Sequence, residues 1–134
     1  MVRPKHEHPT PGELEVLKIL WARGPATVRQ VMEVLNKRRR RHYTSVMSLL
    51  NVMTEKRLLK RRPSGRAFIY EAAVDRQKTF GQIVDDLLAR VFEGSASALV
   101  TQLLGSSCPS PEELEEIRKA IDQYQQGQKA RAEP

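Results

Sequence analysis

Cysteine is almost absent from this chain. With Cys108 alone among 134 residues, an internal disulfide and a zinc site of paired thiolates are both excluded, and a reducing, cytoplasmic setting is expected. Aromatic residues are few, one Trp, three Tyr and three Phe, so the core is expected to be aliphatic and largely helical. No eighteen apolar residues run together, and residues 1–9 are polar without an apolar stretch, which argues against membrane insertion and a secretory leader. Catalytic groups are thin as well. His6 and His8 fall in an N-terminal tail expected to be mobile, and His42 adjoins a basic run. No His–Asp–nucleophile set, metal-ligand cluster or phosphate-cradling glycine loop can be assembled from these residues. The expectation is a protein with no catalytic site, no cofactor and no metal.

What is abundant is positive charge, and it is concentrated at one end. Residues 1–73 hold 16 Lys and Arg against 6 Asp and Glu, a net +10, whereas residues 74–134 hold 7 against 10, a net −3. A basic half suits a polyanion and a mildly acidic half suits a protein partner. Charge alone is explained equally well by a solvated surface, so the decision rests on pattern. The length fits one ordinary domain, or a small one with an oligomerisation appendage.

Thr10-Pro11-Gly12-Glu13 reads as a helix start, with Thr10 as N-cap, Pro11 in the first turn and Glu13 completing a capping box. Leu14, Leu17, Ile19, Leu20 and Trp21 give that helix an apolar face, which Gly24-Pro25 ends. Thr27 and Gln30 repeat the capping logic for a second helix buried through Val28, Val31, Val34 and Leu35. A third helix is expected to begin near Thr44 or Ser45, because Val46, Leu49, Leu50 and Met53 fall at i, i+3, i+4 and i+7. Two extended stretches, residues 58–62 and 67–72, flank the turn signal Pro63-Ser64-Gly65-Arg66. Three helices and a basic-tipped hairpin are the parts of a winged helix-turn-helix with the third helix in the recognition position.

Beyond the hairpin, Asp75 is placed to cap a long helix carrying Phe80, Ile83, Val84, Leu87, Leu88, Val91 and Phe92, closed by Gly94. Ser95 opens a shorter one through Leu99, Val100, Leu103 and Leu104, ended by Gly105 and a flexible link over residues 106–109. Ser110-Pro111-Glu112-Glu113 starts a last helix with a seam of Leu114, Ile117, Ile121 and Tyr124, and residues from Gln125 onward are expected to fray. The fold class is therefore mainly α with a small β-hairpin: a winged-helix DNA-binding domain over residues 9–73, a helical dimerisation region over 74–126 and a disordered tail over 127–134. The dimer contacts are assigned to Phe80, Ile83, Val84, Leu87, Leu88, Val91, Leu99, Leu103, Leu114, Ile117 and Ile121, because so short a segment has no further layer to cover these stripes. Folding back onto the winged domain is the alternative.

DNA affinity comes largely from phosphate neutralisation, for which Arg29, residues 37–41 with Arg40 and Arg41, Lys56, Arg57, Lys60, Arg61, Arg62 and Arg66 supply charge. Base reading needs shorter groups, and Thr44, Ser45, Ser48 and Asn51 lie on the polar face of the third helix. Asn51 is the foremost base reader, since its amide matches adenine bidentately. Thr44 or Ser45 can equally serve as N-cap, and residues 37–41 can equally be a solvated loop. Phe68, Tyr70 and Trp21 are assigned to packing. A sequence-specific repressor accounts for these features, with a non-specific basic RNA- or ribosome-associated protein as the alternative, and a protein-interaction module after that.

Residues 13–21 (Glu-Leu-Glu-Val-Leu-Lys-Ile-Leu-Trp), 44–50 (Thr-Ser-Val-Met-Ser-Leu-Leu), the stretch 55–61 and Phe68-Ile69-Tyr70 together resemble the penicillinase repressor family, also called BlaI/MecI/CopY. Residues 87–104, with Gly94, Leu99 and Val100, look like its dimerisation region, and 112–121 like its closing helix. The resemblance spans about residues 9–125 and implies a homodimer whose winged helices grip a palindromic double-stranded operator and block transcription. In the antibiotic-responsive branch, a membrane sensor with a zinc-metalloprotease domain triggers cleavage between dimerisation helices. The matching point is near Gln102 and Leu103, where the Asn-Phe pair typical of that branch is replaced. The copper branch carries paired C-terminal cysteines, which Cys108 alone does not supply.

Overall fold

The computed structural model describes residues 8–132. Its elements run α1 (Pro11–Arg23), α2 (Val28–Leu35), α3 (Tyr43–Glu55), β1 (Leu59–Ser64), β2 (Ala67–Ala72), α4 (Arg76–Val91), α5 (Ala96–Ser107) and α6 (Pro111–Ala132). The mainly helical class with one hairpin is thus observed.

Local chemistry explains most of the boundaries. The Glu13 backbone N–H donates to Thr10 Oγ1 at 3.2 Å while Glu13 Oε1 accepts from the Thr10 N–H at 2.9 Å, and Thr27 with Gln30 repeats both bonds. Asp75 caps α4 through the Lys78 N–H, Ser95 caps α5 through the Ala98 N–H, and Ser110 caps α6 through the Glu113 N–H. Four expectations are corrected. α3 starts a residue earlier than expected, from His42 with no side-chain cap, so Thr44 and Ser45 lie exposed in its first turn instead of capping it. The hairpin turn is tighter than the four-residue signal: β1 runs through Pro63 and Ser64, and Gly65 at φ 62 with Arg66 forms the whole connection. Proline is tolerated there because β1 is an edge strand. α5 continues past Gly105 to Ser107, where Cys108 at φ 47 reverses the chain ahead of Pro109, which disfavours a further helical residue before it. The residues from Gln125 expected to fray, including the stretch assigned as a tail from 127, are helical through Ala132. Gln, Lys, Ala and Arg are good helix formers, and Lys129 and Arg131 suit the negative end of the helix dipole.

The chain divides into two compact units, one through Asp86 and one from Leu87. The first has an aliphatic core: Val16, Leu17 and Leu20 of α1, Val28, Val31 and Leu35 of α2, Val46, Leu50 and Met53 of α3, with Leu59 and Tyr70 from the hairpin. Ala26 exchanges backbone hydrogen bonds with Tyr70 at 2.9 and 2.8 Å, an isolated bridge that ties the α1–α2 connection to β2. The N-terminal half of α4 belongs to this unit, so the boundary lies beyond the expected residue 73. Phe80, assigned to the dimer seam, is half-buried and sits edge-on to Trp21 with ring centroids 5.7 Å apart, and the Trp21 indole N–H donates to the Val74 carbonyl. His8, expected in a mobile tail, meets Asp86 at 2.9 Å; His6 lies outside the described residues. In the second unit no described residue is buried.

Among the described residues, Glu13 is the one buried acidic side chain, 3 % exposed. Burial works against its charge, but the Lys56 ammonium 2.8 Å away and hydrogen bonds from Thr10 outweigh that and hold its carboxyl below the usual glutamate value. The same side chain thus caps α1 and pins it to Lys56 at the end of α3. Because its folded-state pKa is depressed, the stabilisation is complete above the ordinary carboxylate range and is lost as pH falls through the lowered value. Replacing Glu13 by Gln is expected to cost about 1–2 kcal/mol at neutral pH, from a weakened cap and a lost charge-assisted bond. Urea unfolding of both proteins at neutral pH and well below the carboxylate range checks this: the gap should shrink in acid.

Candidate nucleic-acid interface

Viewed down its axis, α3 buries Val46, Leu50 and Met53 and turns Thr44, Ser48 and Val52 outward. Thr44, Ser45 and Ser48 are exposed as expected, and all are short enough to let the helix approach a groove floor. Val52, 43 % exposed, was not foreseen; its place off the 46-49-50-53 register was the available signal, and a branched apolar group there suits a thymine methyl. Tyr43 and Met47 form a second exposed strip of α3, one turn apart on the side facing the hairpin.

Between that strip, the start of α2 and the hairpin runs an open groove lined by Thr27, Arg29, Tyr43, Met47, Asn51, Arg61, Arg66 and Phe68, among others. Arg29 lies 5.7 Å over the Tyr43 ring and Arg61 4.3 Å over the Phe68 ring, so both cations have an aromatic support. Arg66 occupies the wing tip beside Gly65, and Arg40 and Lys60 are exposed. Arg62 is exposed and 3.9 Å from Glu71, a long surface pair that adds little stability and leaves it able to meet phosphate.

Three expected phosphate contacts, Arg41, Lys56 and Arg61, are engaged inside the protein. The Arg41 guanidinium donates to Glu15 at 2.9 Å and its backbone N–H to Asn36 Oδ1 at 2.8 Å, fixing the α2–α3 loop against α1, while Lys56 holds Glu13. Asn51 is half-buried, and its carbonyl oxygen accepts from Arg61 at 2.9 Å and from the Tyr70 hydroxyl at 3.1 Å. Tyr70 packs the hairpin as expected, but Phe68 is 42 % exposed and supports Arg61 instead.

Of the residues assigned to the dimer seam, Val84, Leu87, Val91, Leu103 and Ile121 are exposed, and Ile83, Leu88, Leu99, Leu114 and Ile117 are half-buried. Gln102 and Leu103 lie in the middle of α5, both exposed. Among the described residues, no group of acidic, His and Cys side chains could hold a metal ion, and no helix is long and apolar enough to cross a membrane.

A three-helix unit with a two-stranded wing and a cation-rimmed recognition helix defines a winged-helix DNA-binding protein of the repressor class. The chain belongs to the penicillinase repressor family, whose model matches residues 9–123. A transcriptional regulator BlaI from Mycobacterium tuberculosis is 32% identical over 120 residues, covering 87% of this chain and 86% of that one. The penicillinase repressor of Bacillus licheniformis is 23% identical over 118 residues, 88% of this chain and 92% of its own. Among solved structures, the YusO protein from Bacillus subtilis shares the fold, with a TM-score of 0.53 at 18% identity over 87% of this chain and 74% of that one.

Proposed function

We propose that this protein is a transcriptional repressor that binds a palindromic DNA operator as a homodimer in the cytoplasm and is released by an inducing signal. The observation that carries the reading is the exposed α3 face of Thr44, Ser48 and Val52, short groups on a helix whose neighbouring strip shares a groove with Arg29, Arg61 and Arg66, in a chain of a repressor family. Short polar groups read base edges while the surrounding guanidiniums set register on the phosphates. The exposed apolar side chains of α4, α5 and α6 support pairing with a second copy. Release by proteolysis would place the cut at Gln102–Leu103, made by a membrane sensor metalloprotease or its product. α5 would have to unwind locally for the cut, and cleavage there would separate α6 from the DNA-binding unit.

The test is a competition gel shift between the intergenic duplex upstream of the chain's own gene and a scrambled duplex. Tight binding that survives the scrambled competitor is expected. Arg66→Ala and Arg62→Ala should weaken both duplexes about equally, reducing the salt slope by roughly one unit each, as loss of a phosphate contact does. Equal affinity of the wild-type protein for both duplexes would replace the repressor by a general nucleic-acid-binding protein.

A further inference from the structure

Asn51 and Arg61 meet in an arrangement that decides what the recognition surface can read. Arginine has only donors, so the atom of Asn51 lying 2.9 Å from the Arg61 guanidinium must be the carbonyl oxygen. The Tyr70 hydroxyl, 3.1 Å from the same oxygen, therefore donates to it as well, and both lone pairs of that oxygen are filled. What Asn51 has left to offer is its NH2 group, two donors and no acceptor. Arg61 adds further N–H donors, its plane fixed by the Phe68 ring on one side and the Asn51 bond on the other. Both residues line the same groove.

This excludes the bidentate adenine contact that the sequence suggested, because adenine presents an N6 donor beside its N7 acceptor and Asn51 has no acceptor free to meet it. Guanine presents two acceptors, O6 and N7, on its major-groove edge. We propose that Asn51 and Arg61 form a donor-only pair that selects a guanine in each operator half-site, with Tyr70 as the residue that sets the orientation of the Asn51 amide. The assignment rests on the operator-binding reading above. Phosphate also accepts hydrogen bonds, but Asn51 follows Thr44 and Ser48 at i+7 and i+3 along α3, beside the helix face offered to the bases.

The experiment selects bound duplexes from a randomised pool with full-length wild-type protein, Asn51→Asp and Tyr70→Phe. Each guanine of the enriched half-site is then replaced, one at a time, by 7-deazaguanine. One replacement should lower wild-type affinity about tenfold, the scale of a base contact. Asn51→Asp keeps an acceptor for Arg61 and Tyr70, and so keeps the wing in place, but it removes the free donors: its guanine-over-adenine ratio at that position should fall about tenfold with the rest of the site retained. Tyr70→Phe frees one lone pair and should move the ratio toward adenine by a smaller factor. If a site is enriched but no guanine is sensitive to deaza replacement, or Asn51→Asp keeps the preference, the donor-only pair is overturned and operator recognition stands. A wild-type pool with no enriched site would remove both.

Discussion

Operator affinity is expected to fall by ~10³-fold or more when salt is raised from 50 to 200 mM, because binding must release the counterions condensed on the contacted phosphates. The exposed cations that can reach phosphate from each protomer include Arg29, Arg40, Lys60, Arg62 and Arg66. Arg41 and Lys56 are excluded, since both are tied to glutamates of α1. Two copies then supply ~6–10 phosphate contacts, which sets the steepness. Half-sites should lie ~10 base pairs apart, so that both α3 helices meet one face of the duplex. Inserting about half a turn of DNA between them should abolish the paired mode and leave only single-protomer binding. Fluorescence anisotropy on both duplexes across a salt series measures the two effects together. Equal binding to the two duplexes, or near-indifference to salt, would contradict the paired winged-helix arrangement.

The second large effect concerns association. In a single chain Val91, Leu103 and Tyr124 are 62, 52 and 67 % exposed, so a charge placed at such a position costs the isolated chain almost nothing. In a dimer the same charge would be buried without a partner, at several kcal/mol. Leu103→Glu combined with Ile121→Glu is therefore expected to convert a species of twice the 15.3 kDa chain mass into monomer while leaving the first unit folded. Sedimentation velocity at tens of micromolar reads the mass, and circular dichroism reads the fold. The monomeric variant should bind the operator at least ~100-fold more weakly, since the second recognition helix is no longer held at high effective concentration. A wild-type protein that sediments as a monomer would end the dimer reading.

Periodicity and capping chemistry were enough to place all eight elements, because those signals are local: Thr10 with Glu13, Thr27 with Gln30, Ser95 and Ser110 each state a helix start within four residues. What was not legible depends on residues distant in sequence. The Glu15–Arg41 and Glu13–Lys56 pairs span 26 and 43 positions, so nothing in the basic runs marked Arg41 and Lys56 as internal ligands. Asn51 looked free on the helical wheel, and only the hairpin returning with Arg61 and Tyr70 shows its oxygen filled. Phe80 matched the apolar repeat of α4 and gave no sign that Trp21, 59 residues away, would pack against it. The polar composition of residues 125–132 suggested fraying, yet apart from Gly127 these eight positions hold only Gln, Lys, Ala and Arg, all good helix formers.

No described residue of the second unit, from Leu87, is buried. On the proposed dimer, its order is then acquired by association, and its stability follows mass action instead of being a fixed property of the sequence. Cellular abundance becomes a structural variable: a scarce chain would keep its DNA-binding unit folded while leaving α5 and α6 open to degrading enzymes, and an abundant one would protect them. Turnover would thus remove unpaired copies first, sharpening the threshold at which the operator fills.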